Sequence, residues 1–241
     1  MTLRVLVLTT ATPHHALFVR ELIAAGHSVA VLNEQPTSTG GPAVTAFSRR
    51  RDSYEESLWF SDRVPALDDL CPTSFVAGVN TFEGLEVLRR SDADVAISFG
   101  TGWIKTEALA LFPYERWNLH GGDPQKYRGL DSHLWALYHR DIEALVTTLH
   151  TLDPELDRGA VIAGALIDLA DAPELHMLRA ANTELALSLV LGSLAHLEAV
   201  GRVPRMPQIA MGRYYSALPS SLLETCARRY AAIAGEEGRG R

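Results

Sequence analysis

The apolar positions of this chain fall into two alternating patterns, short unbroken runs and longer stretches with helical spacing. Leu3 to Thr9 is continuously apolar and β-branched. Pro13 to Ala25 carries its apolar side chains at Ala16, Leu17, Leu22 and Ile23, and His27 to Leu32 is apolar again after Gly26. A strand buried on both faces reads as a run because neither side meets water. This opening therefore predicts a βαβ unit in a parallel sheet with helices on both sides. A second unit is predicted from Ser74 to Val79 as strand, Thr81 to Arg90 as helix, and Asp94 to Phe99 as strand. Thr81 is the expected N-cap of that helix, and Phe82, Leu85 and Leu88 share one face. Between the units, Gly40, Gly41 and Pro42 mark a loop, and the charged run from Ser48 to Asp62 predicts a largely solvated helix.

Further along, Ile104 to Phe112 has helical spacing, and Arg116 to His120 reads as a strand that ends in Gly121 and Gly122. Ser132 to His139 predicts a short helix. Leu145 to Leu152 and Ala160 to Leu169 predict strands around a turn through Pro154 and Gly159. The longest helical pattern runs from Pro173 to Val200, with apolar positions at Leu178, Leu185, Leu189 and Leu197, and is expected to pack across the sheet. There is no internal repeat, and Gly235 to Arg241 is low in apolar content and expected to fray. The fold class is α/β: a Rossmann-like, mostly parallel sheet with helices on both faces. Residues 1–200 are expected to form the main domain and residues 201–241 a short C-terminal extension with an aromatic segment and a final helix.

Composition narrows the function classes. The 241 residues are 47% hydrophobic and 21% charged, as in an ordinary globular protein. A formal charge of −7 leaves no basic patch to neutralise phosphates, so no nucleic-acid partner is expected. Cys71 and Cys226 lie far apart and form neither a CxxC site nor a disulfide framework, which fits a reducing cytoplasm. No stretch is expected to reach the roughly 18 to 20 apolar residues that span a bilayer, and no membrane partner is expected. Met1 to Thr10 is read as a first strand rather than a leader.

Chemistry in open α/β sheets gathers outside the carboxyl ends of the strands, which draws attention to Asn118 and His120 at the end of their strand. A spacing of two points both side chains to the same side. A lone Asn-x-His would be an ordinary turn, but three segments follow in order: KYRGLDSHLWALYHRD from Lys126, TTLHTLDPELDRGAVI from Thr147, and within the latter LDRG at Leu156 to Gly159. Together with NLH at Asn118 to His120, they resemble the folate-dependent formyltransferase family, from roughly Asp94 to Ile167. That family takes in glycinamide ribonucleotide, methionyl-tRNA and sugar N-formyltransferases.

The resemblance implies the formyltransferase fold and transfer of a formyl group from 10-formyltetrahydrofolate to an amine, with Asn118, His120 and Asp157 as the catalytic set. Formyl transfer develops an oxyanion, for which the Asn118 amide and the His120 imidazole are suitable donors, and releases an amine proton, for which a carboxylate beside His120 is a suitable aid. By resemblance that carboxylate is Asp157, two residues before Gly159, and not Asp153. The pterin slot is expected between Gly102, Trp103 and Ile104 on one loop and Asp153 to Leu156 on the other. His133 and His150 are expected to be structural or supporting, and neither spacing forms a metal pair.

On the acceptor side, Thr10, His14, Gly122 and Asp123 are the candidate contacts. The loop Gly121-Gly122-Asp123-Pro124 departs from the Ser-Leu-Leu-Pro of familiar members, and Thr9 to His15 lacks the glycine-rich phosphate cradle of the purine enzyme. The methionyl-tRNA enzymes carry a C-terminal barrel and a basic surface, whereas Met211 to Tyr230 resembles the tail of small sugar-type N-formyltransferases. The expected acceptor is a nucleotide-linked amino sugar or a natural-product amine, and a homodimer is the assembly left open. Two rivals are weighed. Formyltetrahydrofolate hydrolases share the Asn, His and Asp set but carry an N-terminal regulatory domain. A dinucleotide-binding protein would need a GxGxxG after Leu3 to Thr9, which is missing.

Overall fold

The computed structural model describes residues 2–35, 45–61 and 63–237. A seven-stranded sheet forms from β1 (Arg4–Thr9), β2 (Ser28–Glu34), β3 (Thr73–Val76), β4 (Val95–Phe99), β5 (Glu115–His120), β7 (Val146–Thr151) and β8 (Val161–Leu166), in the order β3-β2-β1-β4-β5-β7-β8. The first five strands run parallel, and β7 and β8 run antiparallel to their neighbours. Alternate side chains of β1 feed opposite faces. Val5 and Val7 join Phe18 and Leu22 of α1 (Pro13–Ala24) and Val190 and Leu194 of α7 (Leu178–Val200). Leu6 and Leu8 join Leu85 and Leu88 of α4 (Phe82–Arg90) and Leu109 of α5 (Thr106–Leu109). Burial on both faces is why the run in β1 carries no polar alternation.

A third apolar cluster links α6 (Ser132–His139), the start of α7 and α8 (Leu223–Glu237) through Leu137, Leu178, Cys226 and Tyr230. A two-stranded ladder pairs β6 (Tyr127–Gly129) with β9 (Arg213–Tyr215), so the chain beyond residue 200 folds back onto the segment after β5. Beyond residue 200 lie the aromatic strand β9 and the helix α8. The backbone continues as helix through residue 237 instead of fraying after 235, and residues 238–241 and the Gly40–Pro42 loop lie outside the described residues.

Several sequence expectations are revised. The helix expected over Ile104 to Phe112 shrinks to Thr106–Leu109 because Ile104 and Phe112 are buried from flanking turns. Thr81 does cap α4, accepting from Gly84 N at 3.2 Å, but Phe82 is 72% exposed and only Leu85 and Leu88 face the core. By length and composition, the helical stretch over Leu175–Val200 is long and apolar enough to cross a membrane, contrary to the expectation from the sequence. Here its apolar stripe lies against β7, β8 and α1. The charged helix α2 (Ala46–Trp59) is not simply solvated: Glu55 is fully buried on it.

Candidate active site

Sheet register builds the site. Asn118 lies beside Ser98 of β4 on one side and opposite His150 of β7 on the other, while His120 lies opposite Thr148. Asn118 Nδ2 is 3.1 Å from His150 Nε2 and 3.4 Å from Asp157 Oδ1. His150 Nδ1 faces the carbonyl of Thr151 at 2.8 Å, which requires a proton on Nδ1. In the neutral ring, Nε2 is then an acceptor, and this fixes the Asn118 amide with its NH2 group toward His150 and Asp157. His120 follows the same logic. Its Nε2 faces the Tyr127 carbonyl at 2.8 Å and must carry hydrogen, leaving Nδ1 as the basic atom of the neutral ring, 3.7 Å from Asp157 Oδ2.

Asp157 is held by its loop rather than by a regular element. Its φ of +54° lies in the left-handed region, which aspartate tolerates better than most residues. The Gln208 amide donates to the carbonyls of Asp157 and Gly159 at 2.9 and 2.8 Å, and Arg128 Nη1 donates to the Leu156 carbonyl at 3.1 Å. Gly159 packs so closely that a Cβ would stand 1.6 Å from the Thr151 carbonyl oxygen. The carboxylate accepts from Gly129 N at 2.8 Å, and Gly129, at φ +92°, has no room for a side chain beside the Tyr215 carbonyl.

Burial by itself pushes the Asp157 carboxyl up. The His120 and His150 imidazoles and the Gly129 N–H outweigh burial and bring it to about 2, so it is ionised at neutral pH. Burial dominates at His120 and lowers it below the ordinary histidine value despite Asp157. The resting state is a neutral imidazole beside a carboxylate. The expectation that the carboxylate raises the imidazole holds as a direction of force, not as the net result.

These groups open into a cavity of about 510 Å³ whose wall also includes Gly102, Trp103, Ile104, Asp153, Leu156 and His14. The two expected pterin loops face each other, and Trp103 Nε1 donates to the Pro154 carbonyl at 3.2 Å across the gap. Trp103 is 58% exposed, which removes its alternative reading as core. Thr10, Gly122 and Asp123 do not line the cavity. Thr10 Oγ1 pairs with His15 Nδ1 at 3.1 Å, the Gly122 carbonyl accepts from Thr148 at 2.8 Å, and Asp123 Oδ1 accepts from Gln125 N at 2.9 Å. Their polar groups are spent on holding loops. His133 is half-buried, with Nε2 2.6 Å from the Val146 carbonyl, and desolvation of its ring lowers it to about 4.

Two sets of residues lie outside the sequence expectations. Glu34 at the end of β2 accepts from Val79 N and Gly102 N, both at 2.8 Å. Asn80 donates to the Trp103 carbonyl at 2.7 Å and accepts from Lys105 N at 2.8 Å, so together they clamp the loop 100–105. His150, expected as a supporting group, orients Asn118. At the other end of the cavity Arg51 and Arg179 line the wall, with Arg179 bidentate on buried Glu55 at 2.6 Å for both bonds. Among the described residues, no group of three or more histidine, cysteine, aspartate or glutamate side chains is placed to hold a metal ion.

No protein-family model matches the chain. The methionyl-tRNA formyltransferase of Thermosynechococcus vestitus is 31% identical over 121 residues, 50% of this chain and 36% of that protein. HypX from Aquifex aeolicus, solved with tetrahydrofolic acid, superposes on 97% of this chain and 34% of its own at a TM-score of 0.58 and 17% identity. This is the formyltransferase fold. PseJ of Anoxybacillus kamchatkensis, a formyltransferase solved with a UDP-linked formamido sugar and tetrahydrofolate, shares it over 88% of this chain and 85% of its own. Its TM-score is 0.53 and its identity 16%. The resemblance to the formyltransferase family thus stands in sequence over half the chain and in fold over nearly all of it. The chain spans only about a third of the curated relative's length.

Proposed function

We propose that this protein transfers a formyl group from 10-formyltetrahydrofolate to a primary amine of a small acceptor, a nucleotide-linked amino sugar or a natural-product amine, in the cytoplasm. The observation that carries the reading is the convergence of Asn118, His120 and Asp157 in one cavity, beside two loops that face each other across a flat slot. The tetrahydrofolate bound to PseJ and the tetrahydrofolic acid bound to HypX support the choice of donor, and the sugar bound to PseJ supports the amino-sugar acceptor.

Each residue has one task. As the amine nitrogen bonds to the formyl carbon, the Asn118 NH2 group keeps its bond to His150, exchanges its long 3.4 Å contact with Asp157 for the substrate, and donates to the oxygen that gains charge. His120 Nδ1, unprotonated at rest, takes the amine proton, and Asp157, ionised at neutral pH, stabilises the imidazolium that results. His120 then returns the proton to the departing folate nitrogen, so no proton is left over. A deeply buried neutral base with a fixed tautomer needs no reorganisation to perform this. Differential scanning fluorimetry tests the donor: 5-formyltetrahydrofolate raises the melting temperature by mass action and NAD and NADP do not. A response to NAD with none to millimolar folate contradicts the reading.

A further inference from the structure

The cavity has a second polar end that the formyl chemistry does not use. From α2, Arg51 lines the wall. It is about three-quarters buried, its Nε lies 3.3 Å from Asp52 Oδ1, and its two terminal nitrogens make no hydrogen bond among the described residues. From α7, Arg179 and Asn182 lie three residues apart on one helix face and line the same wall. Arg179 spends Nε and Nη2 on Glu55 and Asp52, and its Nη1 makes no hydrogen bond among the described residues. Asn182 spends its oxygen on Thr147 and leaves its amide nitrogen without a hydrogen bond among the described residues. Donors beyond those spent on Asp52 and Glu55 thus converge on one end of the cavity with no acceptor among the described residues to meet them, and the wall there is completed by Phe47 and Leu178.

We infer that this end binds a carboxylate of the acceptor, placing the amine to be formylated toward His120; the inference rests on the formyl-transfer reading and selects, from its two acceptor classes, a carboxylate-bearing amine over a nucleotide-linked sugar. Charge balance decides between anions. Asp52 and Glu55 offset the two guanidinium groups when both are ionised. The two carboxylates already balance most of the positive charge, so the donors left over can meet a singly charged anion far more readily than a multiply charged one. A carboxylate matches those donors and the planar guanidinium geometry. A phosphate dianion or a diphosphate would leave buried charge uncompensated, which is costly. Burial and the neighbouring Arg179 both disfavour the Arg51 charge, and an anion placed between them relieves it.

The test is thermal stability at fixed ionic strength in chloride, acetate, inorganic phosphate or pyrophosphate, with and without saturating 5-formyltetrahydrofolate. It is run on the wild type, Arg51→Gln, and Arg228→Gln, an exposed cation on α8 that controls for general charge loss. Arg51→Gln is chosen because loss of Arg179 would strand buried Glu55. At ten times its Kd, acetate should raise Tm over chloride by roughly 3 to 5 °C in wild type and Arg228→Gln and by little in Arg51→Gln. The inference is overturned if acetate gives no shift beyond chloride, if Arg51→Gln keeps the shift, or if the Arg51-dependent shift is larger with phosphate or pyrophosphate. Folate affinity separates the two sources of a carboxylate. An unchanged Kd in Arg51→Gln assigns the site to the acceptor, and a tenfold weaker Kd assigns it to the glutamyl tail of the folate and overturns the acceptor assignment. Absence of any folate shift in the wild type counts against formyl transfer, while the acetate comparison still decides the anion site.

Discussion

Replacing Asp157 with asparagine keeps the size of the side chain, and its oxygen can still accept from Gly129 N, so the loop is expected to stay in place. What disappears is the negative charge 3.7 Å from His120 Nδ1. At an effective dielectric constant near 20, a unit charge at about 4 Å stabilises an imidazolium by about 4 kcal/mol, worth about a thousand-fold in rate. The new amide dipole recovers part of this, so turnover should fall by about a hundred- to a thousand-fold. The affinity for 5-formyltetrahydrofolate should change little. Because Asp157 opposes the burial that lowers His120, its loss lowers His120 further. The acid limb of kcat/KM, already below the ordinary histidine range, should then move to lower pH. The assay is formylation of an acceptor by wild type, Asp157→Asn and Asp153→Asn across pH, read by mass spectrometry. Asp153 is exposed and its carboxylate caps Glu155 N at 2.9 Å, so Asp153→Asn should retain most activity. Wild-type turnover in Asp157→Asn, with activity abolished in Asp153→Asn, would refute the placement of the carboxylate.

Three further outcomes are expected. Asn118→Ala and His120→Ala should each cost about a hundred- to a thousand-fold in turnover, and because they serve one reacting centre the double variant should lose much less than the product, as steady-state kinetics will show. Gly159→Val and Gly129→Val should both damage folding or activity, since even a Cβ would overlap the Thr151 or Tyr215 carbonyl; full stability and activity in both, by thermal melts and kinetics, would rule out the loop packing. Acid should destabilise the protein from about pH 6.5 downward. Burial lowers His15 to about 3 and His133 to about 4, so the unfolded chain takes up protons that the folded one refuses, at about 1.4 kcal/mol per pH unit for each histidine. Asp157 adds to the loss only as pH falls from about 4 toward 2, so urea melts between pH 7 and 4.5 leave it out. Raised Glu55 works against the histidines inside that range, but as one carboxyl against the lowered His14, His15, His120 and His133, so stability should still fall, and equal stability across the range contradicts the burial argument.

The parts of the fold that were readable are those where local pattern and tertiary burial agree. The unbroken runs at Leu3 to Thr9 and Asp94 to Phe99 became central strands because both sheet faces are covered, and Ser132 to His139 became a helix with the expected bounds. The reading faltered where a distant partner decides. Charge spacing alone makes α2 a solvated helix, and Glu55 is buried only because Arg179, 124 residues later, meets it with two bonds. His150 looked like an apolar-strand residue until antiparallel pairing set it opposite Asn118. Asn118, His120 and Asp157 were legible through motif order, yet the neutral resting state of His120 depends on burial that no spacing encodes. Thr10, Gly122 and Asp123 were drawn to the site by sequence proximity, and their hydrogen bonds turn inward to the loops instead.

The central claim is that Asn118, His120 and Asp157 move a formyl group from a folate to an amine. Isotope-labelled 10-formyltetrahydrofolate, incubated with the protein and a panel of primary amines rich in amino acids and amino sugars, tests it most directly. The account predicts tetrahydrofolate release that requires an amine, matched by one labelled formyl group on that amine and lost in Asp157→Asn. Labelled formate appearing at the same rate with and without amines, or no turnover of the folate at all, would contradict it.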